Sequence, residues 1–330
     1  MAPSLPSGRL MLTPEQSCLL GLARSTGAKR GAAKQAGLPY NEETVTETVL
    51  LDLKLHYPGR VTIVPFSKPQ EARFGADWAW AFVSADGAWS VTMLVQAKRL
   101  DDAEQDYRGI RRNIGQQAPP ARQIDRLIET SARYGIPPVY AFYNHLSAAA
   151  RVPAKCGSIP RGTVEQIEAW GISLASAHAV LAHLPNGETF ATHCGHSIAL
   201  HCMLCTRGKG SPGPQGSPGA IADALRQISP GGDPLGSDSG ADTFGPSEKL
   251  HPIIQLANEM SSSELPDMAT AELLSKEFPG VAGVIVLRDA EERHDAGRSR
   301  DQAPTLPHDW SFQGGVQDED EDQADRTSEA

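Results

Sequence analysis

The stretch Gly75-Ala76-Asp77-Trp78-Ala79-Trp80-Ala81-Phe82, the turn Ala85-Asp86-Gly87-Ala88 and the run Val91-Thr92-Met93-Leu94-Val95-Gln96-Ala97-Lys98-Arg99 decide how this chain is read. Asp-Gly between two apolar runs is a strong hairpin signal, because the tight turn takes residues that tolerate positive φ. Side chains alternate along a strand, so Ala76, Trp78, Trp80 and Phe82 share one face, while Asp77 stands with Ala79 and Ala81 on the other. Leu94, Gln96 and Lys98 share a face on the return strand for the same reason. Pairing about the turn brings a carboxylate, an amide and an ammonium to one end of adjacent strands. Phosphodiester hydrolysis needs such a set: oxygen ligands for a hard divalent cation, and a cation to orient water or offset charge developing on phosphate.

Outward from the hairpin, the pattern is α/β. Thr13-Pro14-Glu15-Gln16 is a capping box with Pro at the first helical position, so a short lead-in helix carrying Leu19, Leu20 and Leu22 is expected, weakened by Gly27 and Gly31. Asn41 is a suitable N-cap for a second helix, in which Val45, Val49 and Leu53 repeat at helical spacing until Pro58-Gly59. Val61 to Phe66 reads as a strand, Ala121 to Tyr134 as a helix opened by Pro119-Pro120, and Val139 to Tyr143 as a strand. Helix, three strands, helix and strand make a mixed sheet with an antiparallel hairpin inside it. Further on, strand is expected at Trp170 to Leu174, and helix at Ala177 to Leu184 and at Ser197 to Cys205.

At these residues the chain resembles the PD-(D/E)XK nuclease superfamily, specifically the Mrr-like restriction endonucleases in which Gln replaces the second acid. Asp77, a hairpin and Gln96-x-Lys98 carry the resemblance, which covers about Asn41 to Tyr143. The runs Glu-Glu-x-Val-Thr, Gly-Ala-Asp-Trp, Gln-Ala-Lys-Arg, Gln-Ile-Asp-x-Leu-Ile and Val-Tyr-Ala-Phe-Tyr-Asn are also similar to an uncharacterised bacterial family suspected of belonging there. The resemblance implies a restriction-endonuclease-like mixed sheet flanked by helices, and a Mg²⁺- or Mn²⁺-dependent DNA endonuclease serving restriction or anti-phage defence. It makes Asp77 and Gln96 metal-site residues and Lys98 the catalytic lysine, with Glu43 of the second helix completing the site. Gln123, at the start of the next helix, falls where relatives support the lysine or touch phosphate. Two departures stand out: no Pro precedes Asp77, and Gln96 offers a neutral carbonyl where most members offer a carboxylate. The second keeps open an alternative, a nuclease-like module without catalysis that binds nucleic acid or protein. A homodimer is compatible, since enzymes of this type that cut both strands often pair.

Charge is unevenly distributed. The formal net charge is −10, yet Ala290 to Ala330 holds 12 acidic and 4 basic residues, while Met1 to Cys156 holds 19 basic and 14 acidic. The positive first half suits a polyanionic partner, and Arg111 and Arg112 in its basic stretch are candidate phosphate contacts; Asp101, Asp102, Glu104 and Asp106 interleave and give a solvated face equal standing. Five cysteines, an odd number at irregular spacing, argue against a disulfide framework and for a cytoplasmic protein. Cys194, His196, His201, Cys202 and Cys205 contain enough sulfur and nitrogen for zinc, but the spacing argues against it. No run approaches the ~18 apolar residues of a membrane span. Residues 1–37 thus read as a helical lead-in and 38–206 as the nuclease-like domain. A disordered Gly/Pro-rich insertion follows at 207–250, interrupted by one short helical stretch near Ile221 to Ile228; then come a helix and strand that complete the domain at 251–289, and a disordered acidic tail at 290–330.

Overall fold

Thr13 caps the first helix as the spacing predicts: its hydroxyl accepts from the Gln16 backbone N–H, and the Gln16 side chain accepts from the Thr13 N–H. The computed structural model describes residues 12–57, 60–65, 76–84, 86–114, 121–153, 159, 161–205, 218–228, 251–261, 277–278, 281 and 283–288 of the 330-residue chain. In chain order these form α1 (Pro14–Gln35), α2 (Glu42–His56), β1 (Val61–Pro65), β2 (Trp78–Val83), β3 (Ser90–Arg99), β4 (Asn113–Ile114), β5 (Ala121–Arg122), α3 (Gln123–Tyr134) and β6 (Pro138–Tyr143). There follow α4 (Val164–Glu168), β7 (Ile172–Ser176), α5 (Ala177–His183), α6 (Phe190–Cys194), β8 (Ser197–Ala199), a 3-10 turn at Leu200–Leu204, α7 (Pro218–Ile228), α8 (Pro252–Ser261) and β9 (Gly283–Arg288).

Seven strands form one mixed sheet in the order β1-β9-β2-β3-β6-β7-β8, flanked by helices, and β4 pairs with β5 apart from it. The fold is α/β. β2 and β3 pair antiparallel as the Asp-Gly turn requires, with Trp78 opposite Val95 and Val83 opposite Ser90, and Gly87 at the turn has φ 71°. Parallel pairs join β3 to β6 and β2 to β9, and the remaining neighbours are antiparallel. The centre of the sheet is small and dry: Ala79, Ala81, Leu94, Ala97 and Ala141 are all buried. Val45, Val49 and Leu53 of α2 are buried together, as their spacing predicts. α3 ends on Gly135 in the left-handed conformation, a conformation glycine adopts without the steric cost a side chain carries.

Several expectations are corrected. α1 is not a short lead-in but a 22-residue helix that runs through both glycines. Gly31 is where the helix meets His145: a Cβ there would lie 2.6 Å from the imidazole Nε2. Arg30 is buried beneath that approach, and α1 packs against β7, α2 and the 3-10 turn. Ser197–Leu204 is a short strand and a 3-10 turn instead of one helix, because Ser197, Ile198 and Ala199 pair with β7. Within 207–250, the helical stretch expected near Ile221 to Ile228 is present as α7, longer than expected at Pro218–Ile228, with Ala220, Ile221, Ala222, Ala224, Leu225 and Ile228 buried and packed against β3 and β7; the rest of that insertion lies outside the described residues. The expected strand near Val281 is present as β9, but it enters between β1 and β2. The acidic tail from 290 onward lies outside the described residues. No described helix is long and apolar enough to cross a membrane.

Candidate active site

The β2–β3 register carries Asp77 to Gln96. Trp78 pairs with Val95, and the Asp77 N–H extends the ladder by donating to the Val95 carbonyl at 2.9 Å. Asp77 thereby stands beside Gln96 on the face that Ala79, Leu94 and Lys98 share. Its Oδ2 accepts from Gln96 Nε2 at 2.6 Å and from the Ala97 N–H at 2.8 Å. Gln96 Oε1 in turn accepts from Gln123 Nε2 at 2.9 Å, across from the first residue of α3. Two positions along, Lys98 Nζ lies 3.3 Å from Glu42 Oε1, and the second oxygen of Glu42 accepts from the Arg99 N–H at 3.1 Å. Both Gln96 and Lys98 are buried, at 1% and 5% exposure, so these polar groups exist in a low-dielectric setting where each partner matters.

Burial is the largest influence on Asp77. It pushes the carboxyl up to about 6, with the Glu42 charge adding to it, while Lys98, the Ala97 N–H and the Gln96 amide work against the rise. Tyr140 stands opposite Gln96 in the parallel β3–β6 register, on the same face; burial, with Asp77 and Glu42 nearby, holds its phenol far above the usual range. Two buried oxygens around Gln96 lack a hydrogen-bond partner among the described residues: Tyr140 Oη and Gln123 Oε1. Gln123 Oε1 belongs to the amide that donates to Gln96, so an acceptor stands ready beside that side chain.

Of the seven residues named from the sequence, Asp77, Gln96, Lys98 and Gln123 are brought together. Glu43 is not: it is exposed, and Glu42, one residue earlier, reaches Lys98. Arg111 is tied down, 2.8 Å from Glu188 and bonded to the Leu184 carbonyl. Arg112 is exposed, and its carbonyl accepts from the Gln123 N–H at 2.9 Å, which puts it one backbone bond from the site. Other cations of the basic stretch are matched by neighbours: Arg108 by Asp101, Glu104 and Asp106, and Arg122 by a two-bond pair with Asp125. Sequence reasoning missed Glu42 and Tyr140. For Tyr140 a signal existed, since alternation along Val139-Tyr140-Ala141-Phe142 sets it opposite the Gln96 face.

Trp80 is buried core, as alternation predicts, and Trp78 packs against it where a side chain on Gly283 would overlap its ring; Trp89 is exposed. Among the Cys and His residues, Cys202 and His201 are buried, and His193 Nδ1 lies 3.1 Å from His196 Nε2. Desolvation, reinforced by His183, holds His193 down to about 4, which keeps its imidazole uncharged at neutral pH.

A family model matches residues 15–293. The chain belongs to DUF6615, a family of unknown function. No curated protein and no solved structure matches it. The DUF6615 region runs from α1 to beyond β9, so the whole seven-stranded sheet and the Asp77 cluster fall inside it.

Oxygen donors of the kind a divalent ion takes line the corner around Asp77. Among the described residues no group of three or more His, Cys, Asp or Glu is arranged to hold a metal. Asp77 and Glu42 are the carboxylates present, and Glu42 is engaged by Lys98. Gln96 turns its N–H to Asp77 and its carbonyl to Gln123. The donors are hard oxygens of the kind Mg²⁺ takes, and an incompletely neutralised buried carboxylate invites a cation. They fit in kind, provided Gln96 rotates its carbonyl to the Asp77 side and water or phosphate supplies the remaining ligands.

Proposed function

We propose that this chain is a divalent-metal-dependent endonuclease acting on DNA in restriction or anti-phage defence, a cytoplasmic role, and that Asp77, Gln96 and Lys98 with Glu42 and Gln123 form its active site. The observation that carries the reading is the convergence of a half-buried carboxylate with a buried amide and a buried ammonium on one face of adjacent strands, each held by a second residue from a helix or the backbone. Mg²⁺ or Mn²⁺ bound at Asp77 would polarise a phosphate oxygen and make a bound water more acidic. Lys98 then supplies positive charge beside the phosphate, and its ammonium is aimed by Glu42, which is itself fixed by the Arg99 N–H. Arg112 is the exposed cation placed to meet a neighbouring backbone phosphate. Cutting both strands would take two copies of one such site on a duplex.

The test incubates the purified chain with plasmid and phage DNA in Mg²⁺ or Mn²⁺. Nicking or linearisation is expected, abolished by chelation and by Asp77→Ala or Lys98→Ala; cutting that survives both substitutions would sink the assignment. A second reading, a nuclease-like module that binds without cutting, is favoured by one observation: Asp77 is bonded by the Gln96 N–H and Lys98 is paired with Glu42, so the catalytic groups satisfy one another. Salt-sensitive DNA binding with no metal-dependent cleavage would select it.

A further inference from the structure

The chain of amides Asp77–Gln96–Gln123 has a direction. Gln123 donates to Gln96, and Gln96 donates to Asp77. In that direction the carbonyl of Gln96 is consumed by α3 and is unavailable to anything bound at Asp77. The reverse direction is prepared as well, because Gln123 Oε1 is buried and accepts nothing among the described residues. An amide has both a donor and an acceptor end, so rotating Gln96 by half a turn exchanges its two ends while its position on β3 stays fixed.

We propose that Gln123 is a positioning residue for Gln96, and that the two amides turn together when a divalent cation binds at Asp77. The inference rests on the metal reading above and goes beyond it in assigning the first residue of α3 a role. With Asp77 unmetallated, the Gln96 N–H on the carboxylate is the favourable orientation; a carbonyl oxygen at 2.6 Å from a carboxylate oxygen would be repelled. With positive charge at Asp77 the preference inverts, and Gln96 presents Oε1 to the cation side. Its N–H then points at α3, where Gln123 Oε1 becomes the acceptor it lacked. Gln123 thus stabilises either orientation of Gln96, which a side chain offering only a donor or only an acceptor would not. A glutamine in place of the commoner acid therefore gains a second, metal-free state in which the site is closed by its own hydrogen bonds.

The experiment follows the Gln96 side-chain N–H₂ signals of the ¹⁵N-labelled full chain by NMR, assigned by their loss in Gln96→Glu. Without metal, cross-relaxation to the Ala97 amide proton is expected, because both groups donate to Asp77 Oδ2. In saturating Mg²⁺ that contact is replaced by contacts to the Gln123 side chain. If Mg²⁺ shifts the Asp77 region but the N–H₂ group keeps its Ala97 contact, the paired rotation is overturned and the metal site stands. If Mg²⁺ shifts nothing near Asp77, the metal reading fails and the rotation with it. Gln123→Leu strips the metal-free orientation of its donor and the metal-bound one of its acceptor, so the α3 contacts vanish in both states and Mg²⁺ affinity changes by less than about tenfold. Gln123→Glu, an acceptor alone, retains Mg²⁺ binding at least as tight as the parent and shows the α3 contacts before metal is added. Weaker Mg²⁺ binding in Gln123→Glu than in the parent, or a Gln96 N–H₂ group that still contacts Ala97 in that variant before metal is added, would contradict the assignment.

Discussion

Two buried polar corners of the same sheet are treated in opposite ways. At the first, Arg30 of α1 donates to the carbonyls of Tyr143 at 2.6 Å and Leu100 at 2.5 Å, and pairs at 3.1 Å with Asp102, which also meets His145 at 3.3 Å. Charge and carbonyls there are matched, and the helix is locked onto the ends of β3 and β6. At the second, Asp77 keeps its proton to unusually high pH, and Gln123 Oε1 and Tyr140 Oη have no partners among the described residues. The first network fastens a helix to the sheet through main-chain carbonyls; the second joins the side chains of Asp77, Gln96 and Gln123 to one another.

The largest effect should come from breaking the satisfied corner. Arg30→Met leaves Asp102 and two main-chain carbonyls without their donor, and should destabilise the protein by about 3–5 kcal/mol in urea unfolding, the range for a broken buried pair. A loss below about 1 kcal/mol would mean that the corner is as loosely matched as the site.

Asp77→Asn should do the opposite. The carboxyl takes a proton near pH 6 in the folded chain and nearer 4 when unfolded, so folding favours its protonated form. The stability associated with that form is present below about pH 4 and is lost as pH rises to about 6 and beyond. Asn cannot ionise and keeps an acceptor for the Ala97 N–H. It should therefore stabilise the protein by about 1–3 kcal/mol at pH 8 and change little at pH 4. A variant less stable than the parent at pH 8 would show Asp77 to be a satisfied group like Asp102.

The smallest effect separates neighbours. Glu43→Gln, at an exposed position, should shift stability by less than about 0.5 kcal/mol and leave DNA cleavage unchanged. Glu42→Gln should lower cleavage by about a hundredfold through misplacement of Lys98 while the chain remains folded. Equal effects of the two would remove Glu42 from the site.

What the residues disclose on their own follows from the range of the forces involved. α2, the β2–β3 hairpin, α3 and β6 were legible because periodicity and an Asp-Gly turn are local signals. Period two also put Asp77, Gln96 and Lys98 on one face. β9 was legible as a strand but not as the neighbour of β1 and β2, since Val64↔Val284 and Ala79↔Val284 join residues roughly two hundred apart and no local pattern encodes such pairing. The glycines of α1 read as helix weakeners because sequence does not reveal that His145 and Asn144 come to rest against them. Glu42 and Glu43 are indistinguishable as dipole-complementing acids in a first turn; the hundred degrees between adjacent helical residues, fixed only by how α2 docks, decides which meets Lys98.

The central claim is that a divalent cation binds at Asp77, and paramagnetic Mn²⁺ reads this directly. Titrated into the ¹⁵N-labelled chain, Mn²⁺ should first broaden the backbone signals of Asp77 and Ala97 and the side-chain signal of Gln96, and Asp77→Asn should abolish that broadening while other regions respond as before. Broadening that starts elsewhere, for instance among Asp101, Glu104 and Asp106, and is indifferent to Asp77→Asn would contradict the account.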